Sequence, residues 1–561
     1  MFRFFIPLLC VSFLLIPTIA LSNPTSRDSF DWDGKKIAYF FGEETDVVIP
    51  DGTTEILDDA FTDCESLKSV VIPEGVKTIG ERAFNGCKSL KSVVIPQSVT
   101  KIKDEAFLGC SSLTSVVIPK GVTAIGKRTF EGCKSLTSVE IPEGVKKIGD
   151  DAFARCESLT SIKLPESVTK IGESAFGACS SLKSLVIPKG VTVIEFGLLQ
   201  GCESLTSVTI PEGVKKIGQQ AFGDCKALKS ITLPKGVKTI GENAFMECKS
   251  LKSIEIPEGV TVIGDSAFGC CASLKSVRIP PSVKKIGIAA FSFCFALTSI
   301  EISEGVTEIG EDAFQCCDSL AEVVIPNSVK KIDGAFAGCM NLKEWSISPD
   351  HPRFKADGPA LLTKDGKKLV ACLCSTKEYQ IPEGLQVIGE NAFSGCASLT
   401  SLVIPESVTE IGPYAFVSCE SLTSIVLPKS LTVLESGIFL DCESLKSLEI
   451  PESVTKFGDS AFSGCESLTS IVIPEGVTEI GGGAFCKCHS LKTVVIPEGV
   501  TKIGGGAFDS CKSLTSVEVP GSVKEIGWRA FSDCPNLTIC APEGSEAERF
   551  AKMYEIPFKA K

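Results

Sequence analysis

A 23-residue repeat constrains this chain of 561 residues more than any other feature. A clear copy reads LKSVVIPEGVKTIGERAFNGC and ends at Cys87, and the next copy starts at Leu90. Cysteine recurs at the same interval from Cys64 to Cys317 and again from Cys396 to Cys534. Periods of about 20–50 residues are typical of arrays in which each unit buries its apolar side chains against its neighbours. The sequence therefore predicts a stacked array rather than several globular domains.

The first part of each repeat has the alternation of a short strand. In the copy above, Val70 and Ile72 are expected to face inward, while Ser69 and Val71 face outward, because side chains alternate along a strand. Pro73 ends the strand, since it has no amide hydrogen for a ladder.

The rest of each repeat carries a second apolar set. Val76 and Ile79 predict a second short strand. Ala83, Phe84 and Cys87 have the i, i+1, i+4 spacing of a helix face, which predicts one helical turn per repeat. No unit can bury these side chains alone, so stacking is expected to place Leu on Leu, Ile on Ile and Phe on Phe.

The repeat pattern L-x-x-V-x-I-P-x-x-V-x-x-I-G-x-x-A-F-x-x-C resembles the BspA-type leucine-rich repeat, a 23-residue class found in surface proteins. The resemblance implies an α/β repeat solenoid: a curved leucine-rich-repeat array with a parallel β-sheet on the concave side, short second strands and one helical turn per coil. It also implies an extracellular adhesive or ligand-binding role. It carries over no catalytic residue, because the family motif is structural.

Departures from the repeat divide the chain. The segment 342–380 breaks the rhythm, and Lys364-Asp365-Gly366 between two apolar runs predicts a hairpin. This insert is either a longer structural coil or a recognition feature. Ser545, followed by acidic residues, predicts the start of a terminal helix. The expected division is a signal peptide at 1–22, an N-terminal cap at 23–45, repeats at 46–341, the insert at 342–380, repeats at 381–540 and a C-terminal cap at 541–561.

The N-terminus has the pattern of an export signal. Arg3 provides a positive start, the run from Phe4 to Ile19 is mostly apolar, and the small residues Ala20 and Ser22 favour cleavage before Asn23. An uncleaved membrane anchor is the alternative. No later stretch approaches the ~20 apolar residues of a spanning helix. We therefore expect a mature chain without a membrane span, secreted or held at the cell surface.

The chain has 27 cysteines, and disulfides are usual in exported proteins. Most of these cysteines occupy one repeat position, where side chains of successive coils point the same way, and we predict buried free thiols there. Disulfides are expected among the others: Cys372 with Cys374, Cys486 with Cys488, Cys540, and the adjacent pairs Cys270-Cys271 and Cys316-Cys317.

Little in the sequence points to catalysis or to a cofactor. The only histidines are His351 and His489. Cys486, Cys488 and His489 resemble metal ligands, but Cys488 is an ordinary repeat cysteine, and a structural zinc site needs further ligands. The formal net charge is −13 with Lys and Glu interspersed, unlike the basic stripe of a nucleic-acid binder. We expect no enzymatic activity, no metal, no cofactor and no nucleic-acid partner.

The outward strand positions carry the remaining functional information. One column is almost all serine, and the column beside it is mostly Val or Thr with scattered charges. Because aromatic anchors are almost missing, this face is either a solvated surface or a wide, shallow protein-binding surface. The candidate binding residues are the charged outward residues and three residues of the insert: Glu140, Lys163, Glu255, Arg278, Glu301, Trp345, His351 and Phe354.

Export, a solenoid architecture and missing catalytic groups together favour a secreted or cell-surface leucine-rich repeat protein that acts as a protein-binding or adhesion module. Its partner is expected to be an extracellular or cell-surface protein, because solenoids offer extended binding surfaces. The alternative function is a structural spacer or envelope component that uses the solenoid as a scaffold. The sequence leaves the oligomeric state open.

Overall fold

The computed structural model describes residues 24–561. The predicted signal peptide, 1–22, lies outside the described residues. The chain forms two compact units, Met1–Glu157 and Ser158–Lys561. In both units a typical coil contains two short strands and a turn segment, and each strand pairs in parallel with the equivalent strand of another coil, as Ser69 does with Ser92. The fold is a parallel β-solenoid of stacked coils.

The first unit begins with a 3-10 helix, Arg27–Ser29, and an antiparallel hairpin, Phe30–Asp33 with Lys36–Phe40. Phe30 and Phe40 pack on Phe61 of the following coil, with ring centroids 6.2 and 5.1 Å away, so the hairpin covers the end of the apolar core. The first strands of the coils, which form the first ladder, are Asp46–Val48, Ser69–Val71, Ser92–Val94, Ser115–Val117 and Ser138–Glu140. The second strands, which form the second ladder, are Glu55–Ile56, Thr78–Ile79, Lys101–Ile102, Ala124–Ile125 and Lys147–Ile148.

The second unit has two ladders of its own, with strands before and after the insert. Its first ladder comprises Ser184–Val186, Ser207–Thr209, Ser230–Ile231, Ser253–Ile254, Ser276–Ile279, Ser299–Ile302, Val323–Ile325, Trp345–Ile347, Ser401–Val403, Ser424–Val426, Thr493–Val495, Ser516–Glu518, Thr538–Ala541 and Phe558–Ala560. Its second ladder comprises Lys170–Ile171, Val193–Ile194, Lys216–Ile217, Thr239–Ile240, Val262–Ile263, Lys285–Ile286, Glu308–Ile309, Lys331–Ile332, Val387–Ile388, Glu410–Ile411, Val433–Leu434, Lys456–Phe457, Glu479–Ile480, Lys502–Ile503 and Glu525–Ile526.

The predicted helical turn in every coil is not confirmed, because this segment is a series of tight turns. The amide of Phe84 donates to the carbonyl of Ala106 in the next coil at 2.8 Å, and Gly86 makes the equivalent bond to Leu108. An α-helix would direct these amides to carbonyls four residues earlier. Arg82 has φ of 52°, in the left-handed region, which also interrupts a helix.

The core is a set of columns in which one residue type stacks on itself. Val70 and Ile72 are buried as predicted, and so is Ile79 of the second strand. From Phe222 to Phe314 the rings stack with centroids 5.1–5.6 Å apart. This spacing is close to the separation of strands in a sheet, so the rings and the ladders extend the solenoid by the same step.

The insert has three strands, Phe354–Asp357, Ala360–Thr363 and Lys368–Cys372, in antiparallel order. The last of them then pairs in parallel with Val387–Ile388, so it takes the place of a second-ladder strand. The turn segment before the insert pairs directly with the turn segment after it, since the amide of Gly338 donates to the carbonyl of Ser394.

After the last repeat comes the helix Glu546–Met553, which Ser545 caps by accepting a hydrogen bond from the amide of Glu548. Ala547, Phe550 and Ala551 are its buried residues. The final strand, Phe558–Ala560, pairs in parallel with Thr538–Ala541. Among residues 24–561, no helix is both long enough and apolar enough to cross a bilayer.

The expected disulfides are not formed, since every cysteine from Cys64 to Cys540 is a free thiol. Cys372 and Cys374 direct their sulfur atoms to different partners, the Thr376 hydroxyl and the Ser394 carbonyl, both at 3.4 Å. Cys488 points into the core, where its thiol donates to the Phe462 carbonyl at 3.2 Å.

Candidate interaction face

The first ladder presents one exposed side in each unit. Side chains alternate along a strand, so the third and fifth positions of a repeat face outward while the fourth and sixth are buried. In the strand Ser276–Ile279, Ser276 and Arg278 are exposed, whereas Val277 and Ile279 are buried. We call the third- and fifth-position side chains of the second unit the outer face.

Three of the predicted charged residues lie close together on the outer face. Arg278 is directly opposite Glu301 in the ladder, with a distance of 3.2 Å from Nε to Oε1. A second guanidinium nitrogen of Arg278 lies 2.6 Å from Glu258 in a neighbouring turn. The hydrogen bond to Glu258 raises the pKa of Arg278. Glu255 is exposed at the equivalent position of the preceding coil. These exposed pairs fix orientation more than they add stability.

Glu140 and Lys163 are exposed as predicted but belong to different units. Glu140 ends the strand Ser138–Glu140 of the first unit, opposite Val117. Lys163 lies in the second unit, close to the single bridge between Ser161 and Ser184. The structure therefore does not group these two residues with the Arg278 cluster.

The three residues predicted in the insert are buried, so they do not belong to an exposed binding surface. The Trp345 ring packs edge-on against Phe336 at 5.5 Å, and its indole N–H donates to the Pro359 carbonyl at 2.9 Å. Phe354 lies against the ring of His351 at 5.4 Å. They are buried because the insert folds into the array rather than projecting from it.

His351 has a structural role in this buried cluster. Its Nδ1 accepts hydrogen bonds from the amides of Arg353 and Phe354, at 3.1 and 3.0 Å. The proton therefore sits on Nε2, which donates to the Pro326 carbonyl at 3.0 Å. With both nitrogens occupied, the ring holds the insert against the coil before it.

The most apolar part of the outer face lies after the insert and was not among the predicted residues. Val403, Val426, Val472 and Val495 occupy the fifth position of their repeats, and 57–76% of each side chain is exposed. Val403 and Val426 are direct neighbours in the ladder. The same period-two alternation that places Arg278 outward also identifies these valines.

Nucleophilic and metal-binding groups do not gather at this face. Burial raises the pKa of the Cys248 and Cys294 thiols to about 12, which keeps them protonated. Residues 24–561 contain no cluster of three His, Cys, Asp or Glu side chains suited to a metal ion. His489 contacts the Ser510 carbonyl at 2.9 Å through Nδ1, while Cys488 points into the core.

The family model of the BspA type leucine rich repeat region matches residues 38–156, 100–229, 216–343, 367–492 and 478–546. The chain belongs to the BspA-type leucine-rich repeat family. The matches extend over both units and stop on either side of the central part of the insert, where the structure departs from the ordinary coil. No curated protein matches the sequence of this BspA-type chain.

Solved structures similar to this BspA-type chain come from several bacteria. A leucine-rich repeat protein from Bacteroides ovatus is 22% identical with a TM-score of 0.28, over 95% of this chain and 97% of that chain. A leucine rich cell surface protein from Faecalibacterium prausnitzii is 24% identical with a TM-score of 0.24, over 94% and 96%. The pneumococcal vaccine antigen PcpA is 17% identical with a TM-score of 0.31, over 96% and 98%.

Proposed function

We propose that this protein is a non-catalytic protein-binding module, secreted or held at the cell surface, and that a partner protein docks on the outer face of the first ladder. The observation that carries this proposal is the row of exposed valines at 403, 426, 472 and 495. The valines form two pairs on either side of the exposed Glu449, and exposed apolar surface with polar surroundings is typical of protein interaction sites.

The construction of the outer face supports this function. The backbone beneath Val403 and Val426 is held by ladder hydrogen bonds, so little conformational freedom is lost when a partner binds. The neighbouring serine column has small side chains, which allow a partner backbone to approach closely. Charged residues of the same face before the insert, such as Arg278 and Glu301, add polar groups of the kind that give an interface its specificity.

The chemistry of the chain and its N-terminus support the remaining parts of the proposal. Most of the thiols are buried, and the histidines are engaged in structural hydrogen bonds. The predicted signal peptide at 1–22 directs the chain out of the cytoplasm, so the proposed partner is an extracellular or cell-surface protein.

The test is a binding screen of the purified chain against extracellular and cell-surface proteins, followed by titration of each hit. We expect Val403→Lys with Val472→Lys to weaken binding at least tenfold, about 1.4 kcal/mol. The matched control is Val262→Lys with Ile288→Lys, two exposed apolar residues outside the outer face, which should leave the affinity unchanged.

Two results would contradict the proposal. One is a screen with no saturable partner at micromolar concentration. The other is equal weakening by the face variant and by the control. If, in addition, Val403→Lys with Val472→Lys leaves cell attachment and envelope integrity unchanged, the alternative function of a structural spacer describes the protein better.

A further inference from the structure

The second unit has an open pocket of about 780 Å³ between its last coil and the terminal helix. Its lining includes Arg529 and Asp533 from the coil, Phe550 and Tyr554 from the helix, and Glu555 just after it. We call this cavity the terminal pocket. It lies outside the outer face, and pockets of roughly 300–1,000 Å³ are the size that small ligands occupy.

One wall of the terminal pocket is aromatic. Phe531 meets Phe550 edge-on, with ring centroids 5.9 Å apart, and Phe550 packs on Tyr554 at 4.5 Å. Both phenylalanines are buried, whereas Tyr554 keeps 41% of its surface exposed. The two phenylalanines therefore belong to the core and support an aromatic ring that a ligand can reach.

The polar groups of the terminal pocket balance in charge. Arg529 and Lys512 are cationic, and Asp533 and Glu555 are anionic. The Arg529 guanidinium lies 3.9 Å from both Asp509 and Asp533, and its Nε donates to the Ser532 hydroxyl at 3.4 Å, so all three contacts are long. Among the described residues, Lys512 and Glu555 make no ion pair. Lys512 and Glu555 are thus free to bond a ligand, and the four charges of the lining sum to zero.

Trp528 stands beside the pocket with 71% of its surface exposed. Its ring lies 5.3 Å from the guanidinium of Arg529, which lines the pocket. The indole N–H groups of Trp32 and Trp345 donate to backbone carbonyls. That of Trp528 has no acceptor in the part of the chain that the structure describes. The exposed ring and its unused donor contribute little to folding and suit a ligand.

We propose that the terminal pocket binds a neutral carbohydrate. The C–H face of a pyranose ring is apolar and packs against an aromatic face such as Tyr554 or Trp528. Its hydroxyl groups can accept hydrogen bonds from Arg529 and donate hydrogen bonds to Asp533 and Glu555. Anionic ligands such as nucleic acids or acidic glycans gain nothing from a site with two positive and two negative groups. The inference does not depend on the protein-binding role of the outer face.

The test uses the full chain on an array of neutral oligosaccharides built from glucose, galactose, mannose and N-acetylhexosamines, with sialylated glycans and proline-rich peptides beside them. Hits are titrated by calorimetry and by tryptophan fluorescence. We expect saturable binding of at least one neutral oligosaccharide, weakened at least tenfold by Trp528→Ala and by Arg529→Gln. The matched control is Met553→Ala, exposed on the terminal helix but outside the pocket lining, which should keep the affinity.

A third variant separates binding from folding. Glu555 has φ of 56°, a left-handed conformation that glycine adopts without strain. Glu555→Gly should therefore melt no earlier than the parent chain and still bind the oligosaccharide at least tenfold more weakly. The proposal is overturned if no neutral oligosaccharide binds, or if only sialylated glycans or peptides bind. It is also overturned if Trp528→Ala, Arg529→Gln and Glu555→Gly all keep full affinity, or if the effect of Trp528→Ala is to abolish self-association of the chain.

Discussion

The repeated cysteine makes the same buried contact in coil after coil. The Cys110 thiol donates to the Phe84 carbonyl at 3.1 Å, and the Cys271 thiol donates to the Phe245 carbonyl at 3.2 Å. A thiol is small enough for the crowded turn and is also a weak hydrogen-bond donor. It therefore fills the space and satisfies a backbone carbonyl at the same time. This contact explains the cysteine column without disulfides.

Thr129 is a polar residue in a column that is mostly alanine, and it gives the first prediction. It is fully buried, and its hydroxyl has no hydrogen-bond partner among the described residues. Ala106 holds the equivalent position one coil earlier. Thr129→Ala removes an unsatisfied buried hydroxyl and should raise the free energy of unfolding by about 1 kcal/mol. Urea unfolding checks this, and the reverse change Ala106→Thr should destabilise the chain.

The phenylalanine column gives a second prediction. Phe245 is fully buried between Phe222 and Phe268, at 5.1 and 5.2 Å. Phe245→Ala should lower the free energy of unfolding by about 3–5 kcal/mol, because it removes contacts on both sides and leaves a cavity. Phe295 is exposed, so Phe295→Ala is the matched control. Equal thermal stability of the two variants would contradict the assignment of Phe245 to the core.

At the scale of elements, the strands and the hairpin of the insert were predictable from the sequence, and the turn segment around Ala83 was not. Alternation around Val70 is a strong signal because burial depends on residue type. The apparent helical spacing of Ala83, Phe84 and Cys87 was misleading, since the left-handed conformation of Arg82 leaves no mark on residue type. The burial of Trp345 could have been predicted, because Trp345 lies opposite Val323 in the first ladder, at the inward fourth position of its repeat.

Several carboxylates lie close together where the turn segments before and after the insert meet. Glu390 lies beside Glu311, and Asn391 donates to Asp312 at 3.3 Å. Asp333 of this cluster is paired with Lys368 at 3.3 Å. Burial and the neighbouring carboxylates raise the pKa of Glu390 to about 7, and burial raises the pKa of Asp312 to about 6.

This cluster predicts a pH dependence of stability. Between pH ~4 and ~7 the folded chain holds protons on Glu390 and Asp312 that the unfolded chain has released. Their contribution to the free energy of unfolding is therefore largest at low pH and falls as the pH rises to about 7. Glu390→Gln should flatten this slope and stabilise the chain at pH 8, as measured by urea unfolding across the pH range. Glu410→Gln, an exposed carboxylate on the second ladder, is the control. An unchanged slope in Glu390→Gln would contradict the prediction.

At the scale of the whole molecule, the thiols give a prediction that covers all described coils. Most cysteines are buried, and the half-buried ones are Cys64, Cys270, Cys316, Cys486, Cys534 and Cys540. Native protein treated briefly with N-ethylmaleimide should be alkylated, if at all, only at these six among residues 24–561. Urea should expose the rest. Peptide mass spectrometry reads the sites, and rapid native alkylation of Cys248 would contradict the packing.

The overall architecture was predictable to the extent that it repeats, and the candidate sites were less so. A column such as Val403 and Val426 can be read from position alone. The terminal pocket cannot, because Arg529 and Tyr554 are brought together only by the docking of the terminal helix on the last coil.

The uniform register of the ladders has a consequence for the gene. In the second ladder Lys216 pairs with Thr239, and Thr239 pairs with Val262, so each residue meets the one 23 positions later. Losing or duplicating 23 codons within this stretch joins equivalent positions and leaves every column continuous. A length that is not a multiple of 23 codons would set phenylalanine against glycine or cysteine against a surface residue. Recombination between these similar segments can therefore lengthen or shorten the protein one coil at a time, while the two ends keep their distinct surfaces.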